Sequence, residues 1–113
     1  MQRGEIYLAN FPYGDQPVMK LRPVLLLTGR IGNGSEVIVA YISSVIPSSL
    51  LPSDILIDPS QPEHQDTRLK AVSVLRLHKI ATIHESSIQR YLGFISAEVQ
   101  SQVDSILRSL FSL

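Results

Sequence analysis

The chain has 113 residues, 44% of them hydrophobic and 18% charged, which favours a single globular domain over 1–113 and excludes a disordered chain. Its ten basic and ten acidic residues cancel, so no global field attracts a polyanion and any nucleic-acid site must be a local basic patch. The sequence contains no cysteine, which excludes disulfides and thiolate metal sites and suits a cytosolic protein.

The start of the chain and its apolar runs predict a protein without membrane segments. The first residues lack the basic-then-apolar pattern of a signal peptide, and no apolar run approaches the roughly 20 residues that span a bilayer. We therefore expect a soluble, cytoplasmic protein.

Two strands separated by a loop open the chain. Residues 5–11 form a β-rich run that predicts the first strand, and glycine and proline mark a loop over 12–20. Pro23 fixes its own φ and favours an extended conformation for Arg22, so Arg22 should lie at the mouth of a buried second strand over 23–28. An arginine on so rigid a support can aim its guanidinium at a phosphate, although an ordinary solvated residue closing a loop is the commoner case.

The middle of the chain continues as short strands. A glycine-rich turn over 29–35 leads to a third strand over 36–44, and proline and serine then separate it from a short fourth strand over 54–58. The polar, proline-punctuated stretch 59–70 is typical of a mobile surface connection.

The last third predicts further β structure and a helix. Residues 71–77 and 79–84 read as one long strand or a bent pair, and 86–91 reads as a short helical turn ended by Gly93. Ser96 is a suitable N-cap for a C-terminal amphipathic helix. Its apolar face comprises Val99, Val103, Ile106, Leu107 and Leu110. Several short strands followed by one helix predict a mainly antiparallel barrel or sandwich with a helix packed on it.

Common catalytic motifs are absent from the sequence. It has no phosphate-cradling glycine loop, no zinc-ligand spacing and no G-x-S-x-G elbow. Glu63, His64 and Asp66 lie close together in a polar stretch, which favours a solvated loop tip over a metal site.

The remaining polar groups that could handle a phosphate or a proton are Arg22, Ser43, Arg76 and His78. Ser43 and Ser44 end the third strand, where hydroxyls usually satisfy local backbone groups. Arg76 and His78 are two residues apart in an extended segment, so their side chains share one face. A histidine beside an arginine can act as an acid or base, although a lone histidine on a strand is more often structural.

The order of several segments resembles the MazF/PemK toxins of bacterial toxin–antitoxin systems. These segments are RGEIYLANF, LRPVLLLT, VIVAYISS, VSVLRLHKIATI and the turn YLGFIS before the helix. Members open with an R-G-(D/E)-(I/V) strand, carry an R-P-(V/A)-(L/V) strand and close with a helix. The resemblance covers nearly the whole chain.

This resemblance implies a small SH3-like antiparallel β-barrel with a C-terminal helix, a homodimer, and a sequence-specific endoribonuclease that needs no metal or cofactor. Single-stranded mRNA would be cut by attack of its own 2′-hydroxyl, giving 2′,3′-cyclic phosphate and 5′-hydroxyl ends. The implied protein partner is a cognate antitoxin, with operator DNA contacted only through the antitoxin complex.

Site residues follow from the same resemblance. Arg22 matches the catalytic arginine, Ser43 matches the catalytic threonine, Arg76 matches an arginine of some PemK-type members, and His78 stands where those members carry an aspartate. The expected RNA-binding residues are Lys20, Gln16, Ser44 and Lys79. Lys20 and Lys79 would join Arg22 and Arg76 in a basic groove along the dimer interface.

Two departures from the family pattern keep other functions open. The first loop reads Gly14-Asp15-Gln16-Pro17 and lies farther than usual from Arg22, and Ala81 replaces an arginine often found before Thr-Ile. A catalytically silent module that binds RNA or an antitoxin is therefore the main alternative. A gyrase poison of the related CcdB type ranks below it, because it would leave Arg22 and Ser43 unexplained.

Overall fold

The computed structural model describes residues 1–12 and 19–113, which form six strands and one α-helix. The strands are β1 (Glu5–Pro12), β2 (Met19–Leu26), β3 (Glu36–Ser43), β4 (Asp54–Ile57), β5 (Ser73–His84) and β6 (Ile88–Phe94), and the helix is α1 (Ala97–Leu110). Two short 3₁₀ helices, Pro62–Thr67 and Glu85–Ser87, lie before β5 and β6.

The strands form a single antiparallel sheet in the order β4-β5-β3-β2-β1-β6. The predicted small antiparallel β fold with a C-terminal helix is confirmed. Its closure into a barrel is not, because β4 and β6 are the two edges of the sheet and do not pair with each other within 1–12 and 19–113.

Apolar side chains are buried on both faces of the sheet, because the side chains of each strand alternate between them. The helix face carries Ile6, Leu25, Ala40, Ile42 and Leu75, which pack with α1. The other face, called here the Tyr41 face, carries Ala9, Phe11, Val24, Val39 and Tyr41. Phe11 and Tyr41 stack with their ring centroids 5.2 Å apart.

Helix α1 begins at the predicted N-cap, but the last residue of its predicted apolar face is exposed. Ser96 is the N-cap, and its Oγ accepts a hydrogen bond from the Val99 backbone N–H at 3.2 Å. Val99 and Val103 are buried, whereas Leu110 is 41% exposed. Ile106 and Leu107 are partly buried and pack against the same core, so the predicted stripe packs on the sheet except at Leu110.

The polar connection over 59–70, predicted to be a mobile surface segment, contains the 3₁₀ helix Pro62–Thr67 and packs on the sheet. His64 and Thr67 are buried in the 3₁₀ helix Pro62–Thr67, whereas Glu63 and Asp66 are exposed, so the solvated position expected for this group holds for the two carboxylates and not for His64. The reason lies in β6: a Cβ placed on Gly93 would be 2.2 Å from the carbonyl oxygen of Asp66. Without a side chain at this position, the backbone of the connection packs directly on the strand.

Two further predictions are corrected in the last third of the chain. The helical turn expected over 86–91 is mostly strand β6, because only Glu85–Ser87 is helical. The long strand β5 confirms the first of the two alternatives for 71–84, but it carries a bulge. Its pairing with β3 jumps from Ala40 opposite Ile80 to Tyr41 opposite Arg76.

The described residues contain neither a membrane-spanning helix nor a cluster of metal ligands. None of the helices there is long and apolar enough to cross a membrane. No group of three metal-binding side chains was found in 1–12 and 19–113.

Candidate active site

Strand pairing places Arg22 on the Tyr41 face. Arg22 lies opposite Ala9 in the β1–β2 register, and directly opposed side chains share a face. The pairing of β2 with β3 ends at Val24 opposite Tyr41, and Pro23 cannot donate a ladder hydrogen bond. The partly buried Arg22 therefore lies where the two central strands separate.

Ser43 lies two residues beyond Tyr41 on β3, so its side chain is on the same face as Arg22. Its Oγ accepts a hydrogen bond from the Val45 backbone N–H at 3.1 Å. The Val45 carbonyl oxygen is 3.5 Å away, which is long for an O–H···O bond. The hydroxyl is thus held in position from its acceptor side, and its proton can be donated to another oxygen.

A buried carboxylate, Asp54 of β4, organises a second group of residues. Arg76 Nε donates to Asp54 Oδ1 at 3.0 Å, and the Leu51 backbone N–H donates to Oδ2 at 2.8 Å. The Asp54 side chain is fully buried, so the ion pair is shielded from water and fixes the guanidinium. Arg76 also lies opposite Tyr41 in the β3–β5 register, which places it on the Tyr41 face.

His78 contacts the same group from within the bulge of β5. Its Nδ1 is 2.8 Å from Ser53 Oγ and 3.9 Å from Asp54 Oδ1. Burial lowers the pKa of His78, and the charges of Arg76 and Lys79 lower it further, although Asp54 acts in the opposite direction. The imidazole is therefore neutral at pH 7 and able to accept a proton.

At the bulge of β5, the consecutive residues His78 and Lys79 contact different parts of the protein. His78 lines a cavity of about 630 Å³ between β5 and the outer part of α1. The next residue, Lys79, places its Nζ 5.8 Å from the centroid of the Tyr41 ring, within cation–π range. The predicted proximity of Arg76 and His78 is present, but Asp54 rather than a regular strand face links them.

A cleft of about 390 Å³ lies beside Arg22, and four of its lining residues are basic. We call it the basic cleft. Its charged and hydroxyl-bearing lining residues are Arg22, Ser44, Arg68, Lys70, Arg90 and Ser73. The apolar wall of the cleft is formed by Leu8, Pro23, Ile42 and Leu92. No aspartate or glutamate of the described residues lines it.

The predicted site residues thus fall into neighbouring groups. Arg22 and Ser44 line the basic cleft, whereas Arg76 and His78 surround Asp54. The register places two more on the Tyr41 face: Ser43, and Lys20, which lies opposite Phe11. Gln16 lies outside the described residues.

Sequence reasoning missed Asp54 and three cations of the basic cleft. The sequence predicts Asp54 only as the first residue of the fourth strand. The available signal is a lone carboxylate at the start of an apolar strand, in a chain that has an arginine within another strand. Arg68 and Lys70 lie in the segment predicted to be mobile, and Arg90 in the segment predicted to be helical. With correct strands, the alternation of β6 would have placed Arg90 beside Leu8, its partner in β1.

The comparisons with known proteins agree on one family. Residues 2–111 match the family described as PemK-like, MazF-like toxin of type II toxin-antitoxin system. The chain is 30% identical over 118 residues to the endoribonuclease MazF6 of Mycobacterium tuberculosis, covering 100% of this chain and 98% of that protein.

Solved structures show the same fold. MazF from Deinococcus radiodurans superposes with a TM-score of 0.75 at 20% identity, covering 100% of this chain and 97% of that one. A mycobacterial endoribonuclease in complex with its cognate antitoxin superposes with a TM-score of 0.73 at 17% identity, covering 100% and 96%.

Proposed function

The chain belongs to the PemK-like, MazF-like toxins of type II toxin–antitoxin systems, in which it is an endoribonuclease, and from this premise we propose how it cleaves RNA. The substrate is single-stranded RNA, and the reacting phosphate lies against Arg22. The observation that carries this proposal is the strand register, which puts Arg22 and Ser43 on one face where β2 and β3 separate.

The reaction needs no external nucleophile, because RNA supplies its own. The 2′-hydroxyl attacks the adjacent phosphorus and the bond from phosphorus to the 5′-oxygen breaks, leaving a 2′,3′-cyclic phosphate and a 5′-hydroxyl. Negative charge grows on the two non-bridging oxygens. The planar guanidinium of Arg22 pairs with them in a bidentate manner, and Ser43 donates a further hydrogen bond.

Two protons must move in this reaction. His78 is neutral at pH 7, because burial and its cationic neighbours lower its pKa, so it can take the proton of the 2′-hydroxyl. The second proton goes to the departing 5′-oxygen and comes from water or from the imidazolium formed in the first transfer. Arg76 is not available in the same way, because its hydrogen bond to Asp54 neutralises much of its charge. We assign Arg76 to positioning His78 and Asp54 rather than to the phosphate.

We propose a homodimer as the functional unit, inhibited by a cognate antitoxin. Large exposed apolar side chains support an interface between subunits: Val45, Leu50, Leu51, Leu56, Phe111 and Leu113. A disordered acidic segment of the antitoxin would neutralise the cations around Arg22 and compete with RNA.

A silent RNA-binding module is the second candidate function. It is favoured by one observation: Arg76, one of the predicted phosphate ligands, is committed to the buried Asp54. Ala81 removes a further charge expected in this part of the chain.

Incubation of the purified protein with a long unstructured RNA in EDTA separates these functions. We expect the same cleavage rate with and without EDTA, and products with 2′,3′-cyclic phosphate and 5′-hydroxyl ends. The ends are identified by end-labelling before and after phosphatase treatment. Binding without cleavage would establish the silent module, and a strict magnesium requirement or 3′-hydroxyl ends would refute 2′-hydroxyl attack. Inhibition of gyrase without either RNA activity would indicate a poison.

A further inference from the structure

We propose that the basic cleft is a phosphate-binding subsite for the part of a single-stranded RNA that extends beyond the reacting phosphate. This inference rests on the proposed function, because Arg22 lines the cleft and is also assigned to the reacting phosphate. An RNA held at Arg22 would pass its neighbouring phosphates to Arg68, Lys70 and Arg90 as it leaves the catalytic residues.

The charges of these three residues are available to an external anion. Three other arginines form ion pairs within the protein: Arg3 with Asp104, Arg30 with Glu85 at 2.8 Å, and Arg76 with Asp54. By contrast, no carboxylate in the described part of the chain lies within 4.0 Å of Arg68, Lys70 or Arg90. Three uncompensated cations at one cleft of a neutral protein form the local basic patch that a polyanion requires.

The backbone that carries Arg68 and Lys70 is held rigidly. Arg68 adopts a left-handed conformation with φ of 56° and caps the preceding 3₁₀ helix. Thr67 Oγ1 donates to the His64 carbonyl at 2.7 Å, and the helix packs against Gly93 of β6. Because these hydrogen bonds and this packing define the backbone of the segment without a ligand, binding a phosphate here should cost little conformational entropy.

The apolar wall of the cleft fits the remainder of a nucleotide. Leu8, Pro23, Ile42 and Leu92 present surface on which a base can pack, while Ser44 offers a hydroxyl next to Ser43. A cleft of about 390 Å³ accommodates one or two nucleotides rather than a duplex. The chemistry on both sides of the cleft thus matches single-stranded RNA, with phosphates on the cations and bases on the apolar wall.

The salt dependence of binding tests this subsite. The probe is a 2′-O-methyl oligoribonucleotide of a dozen or so residues, which cannot be cleaved by its own 2′-oxygen. For single strands, log K falls with log salt by about 0.7 for each phosphate neutralised. We therefore expect Lys70→Gln and Arg90→Gln each to reduce the slope by about 0.7 and to weaken binding roughly fivefold at 0.1 M salt. The double variant should lose about twice the slope.

Cleavage kinetics provide a second readout. Because these residues do not contact the reacting phosphate in this proposal, the variants should raise KM on a long RNA and leave kcat unchanged. A dinucleoside monophosphate has no phosphate beyond the reacting one, so the same variants should not raise its KM. Arg108→Gln is the matched control, since Arg108 is an exposed cation of α1 outside the cleft, and its salt slope should equal that of the wild type.

Unchanged slopes for Lys70→Gln and Arg90→Gln, or an equal loss for Arg108→Gln, would overturn the subsite. So would variants that bind RNA normally but lose affinity for a glutamate-rich peptide, because the cleft would then serve an acidic protein segment. Binding is measured without cleavage, so a wild-type protein that binds the probe with the expected slopes yet cuts no RNA would reject the proposed function and support the subsite.

Discussion

Arg22→Ala is expected to lower the rate of RNA cleavage by roughly 100-fold or more while the protein stays folded, since one preorganised donor to a developing oxyanion is worth about that much. The structure gives this residue a fixed position, opposite Ala9 and next to the end of the β2–β3 pairing. Arg22→Lys should restore little activity, because an ammonium cannot form two parallel hydrogen bonds to a phosphate. The rate is measured on a fluorescent single-stranded RNA.

The control for this prediction is Arg30→Ala, which removes an exposed arginine that pairs with Glu85 and neither lines the basic cleft nor contacts Asp54. Exposed pairs of this kind contribute little to stability, so Arg30→Ala should melt close to the wild type, and circular dichroism of Arg22→Ala checks that this variant is folded. Cleavage by folded Arg22→Ala at the rate of Arg30→Ala would exclude Arg22 from catalysis.

Gly93→Ala is expected to have the largest effect on stability. Its Cβ would be 2.2 Å from the Asp66 carbonyl oxygen and 2.6 Å from that of Thr67, and backbone atoms cannot move aside as a side chain can. Overpacking of this kind costs about 3 kcal/mol, which lowers the melting temperature of a domain of this size by roughly 10 °C or more. Thermal unfolding followed by circular dichroism measures the change.

Gly29→Ala is the matched control, because its added Cβ has only the Met1 carbonyl oxygen nearby, at an ordinary 3.5 Å. It should melt within a few degrees of the wild type. If Gly93→Ala were as stable as Gly29→Ala, the 3₁₀ helix Pro62–Thr67 would not pack on β6 as described, and the placement of Arg68 and Lys70 would lose its support.

Local patterns in the sequence were sufficient where a single element determines the result. The apolar run after Pro23 is buried in a strand as predicted, although β2 begins at Met19 rather than at Pro23, so Arg22 lies within the strand and not at its mouth. Ser96 caps the helix as its side chain and position predict. The family resemblance, based on the order of several short segments, is confirmed by the match over residues 2–111. Each of these conclusions depends on residues close together in the chain or on their order.

The parts that failed depend on contacts between distant residues. Nothing near Asp54 in sequence shows that it lies opposite Arg76, because strand pairing joins β4 to β5 across 22 positions. The segment over 59–70 looks mobile by composition, and only the missing side chain of Gly93 allows it to pack. The sequence also does not show whether the barrel closes. Closure depends on which strands form the two edges of the sheet, and β4 and β6 are the edges only because of how the other four strands pair.

The central claim is that the 2′-hydroxyl of the RNA attacks a phosphate held at Arg22, and one substrate tests it directly. A single-stranded RNA that the protein cuts at a mapped position is resynthesised with a 2′-deoxy nucleotide on the 5′ side of that bond. The account predicts normal binding and no cleavage at that bond by the wild-type protein, because the nucleophile is absent. Cleavage at the deoxy position at the rate of the all-ribose substrate would contradict it.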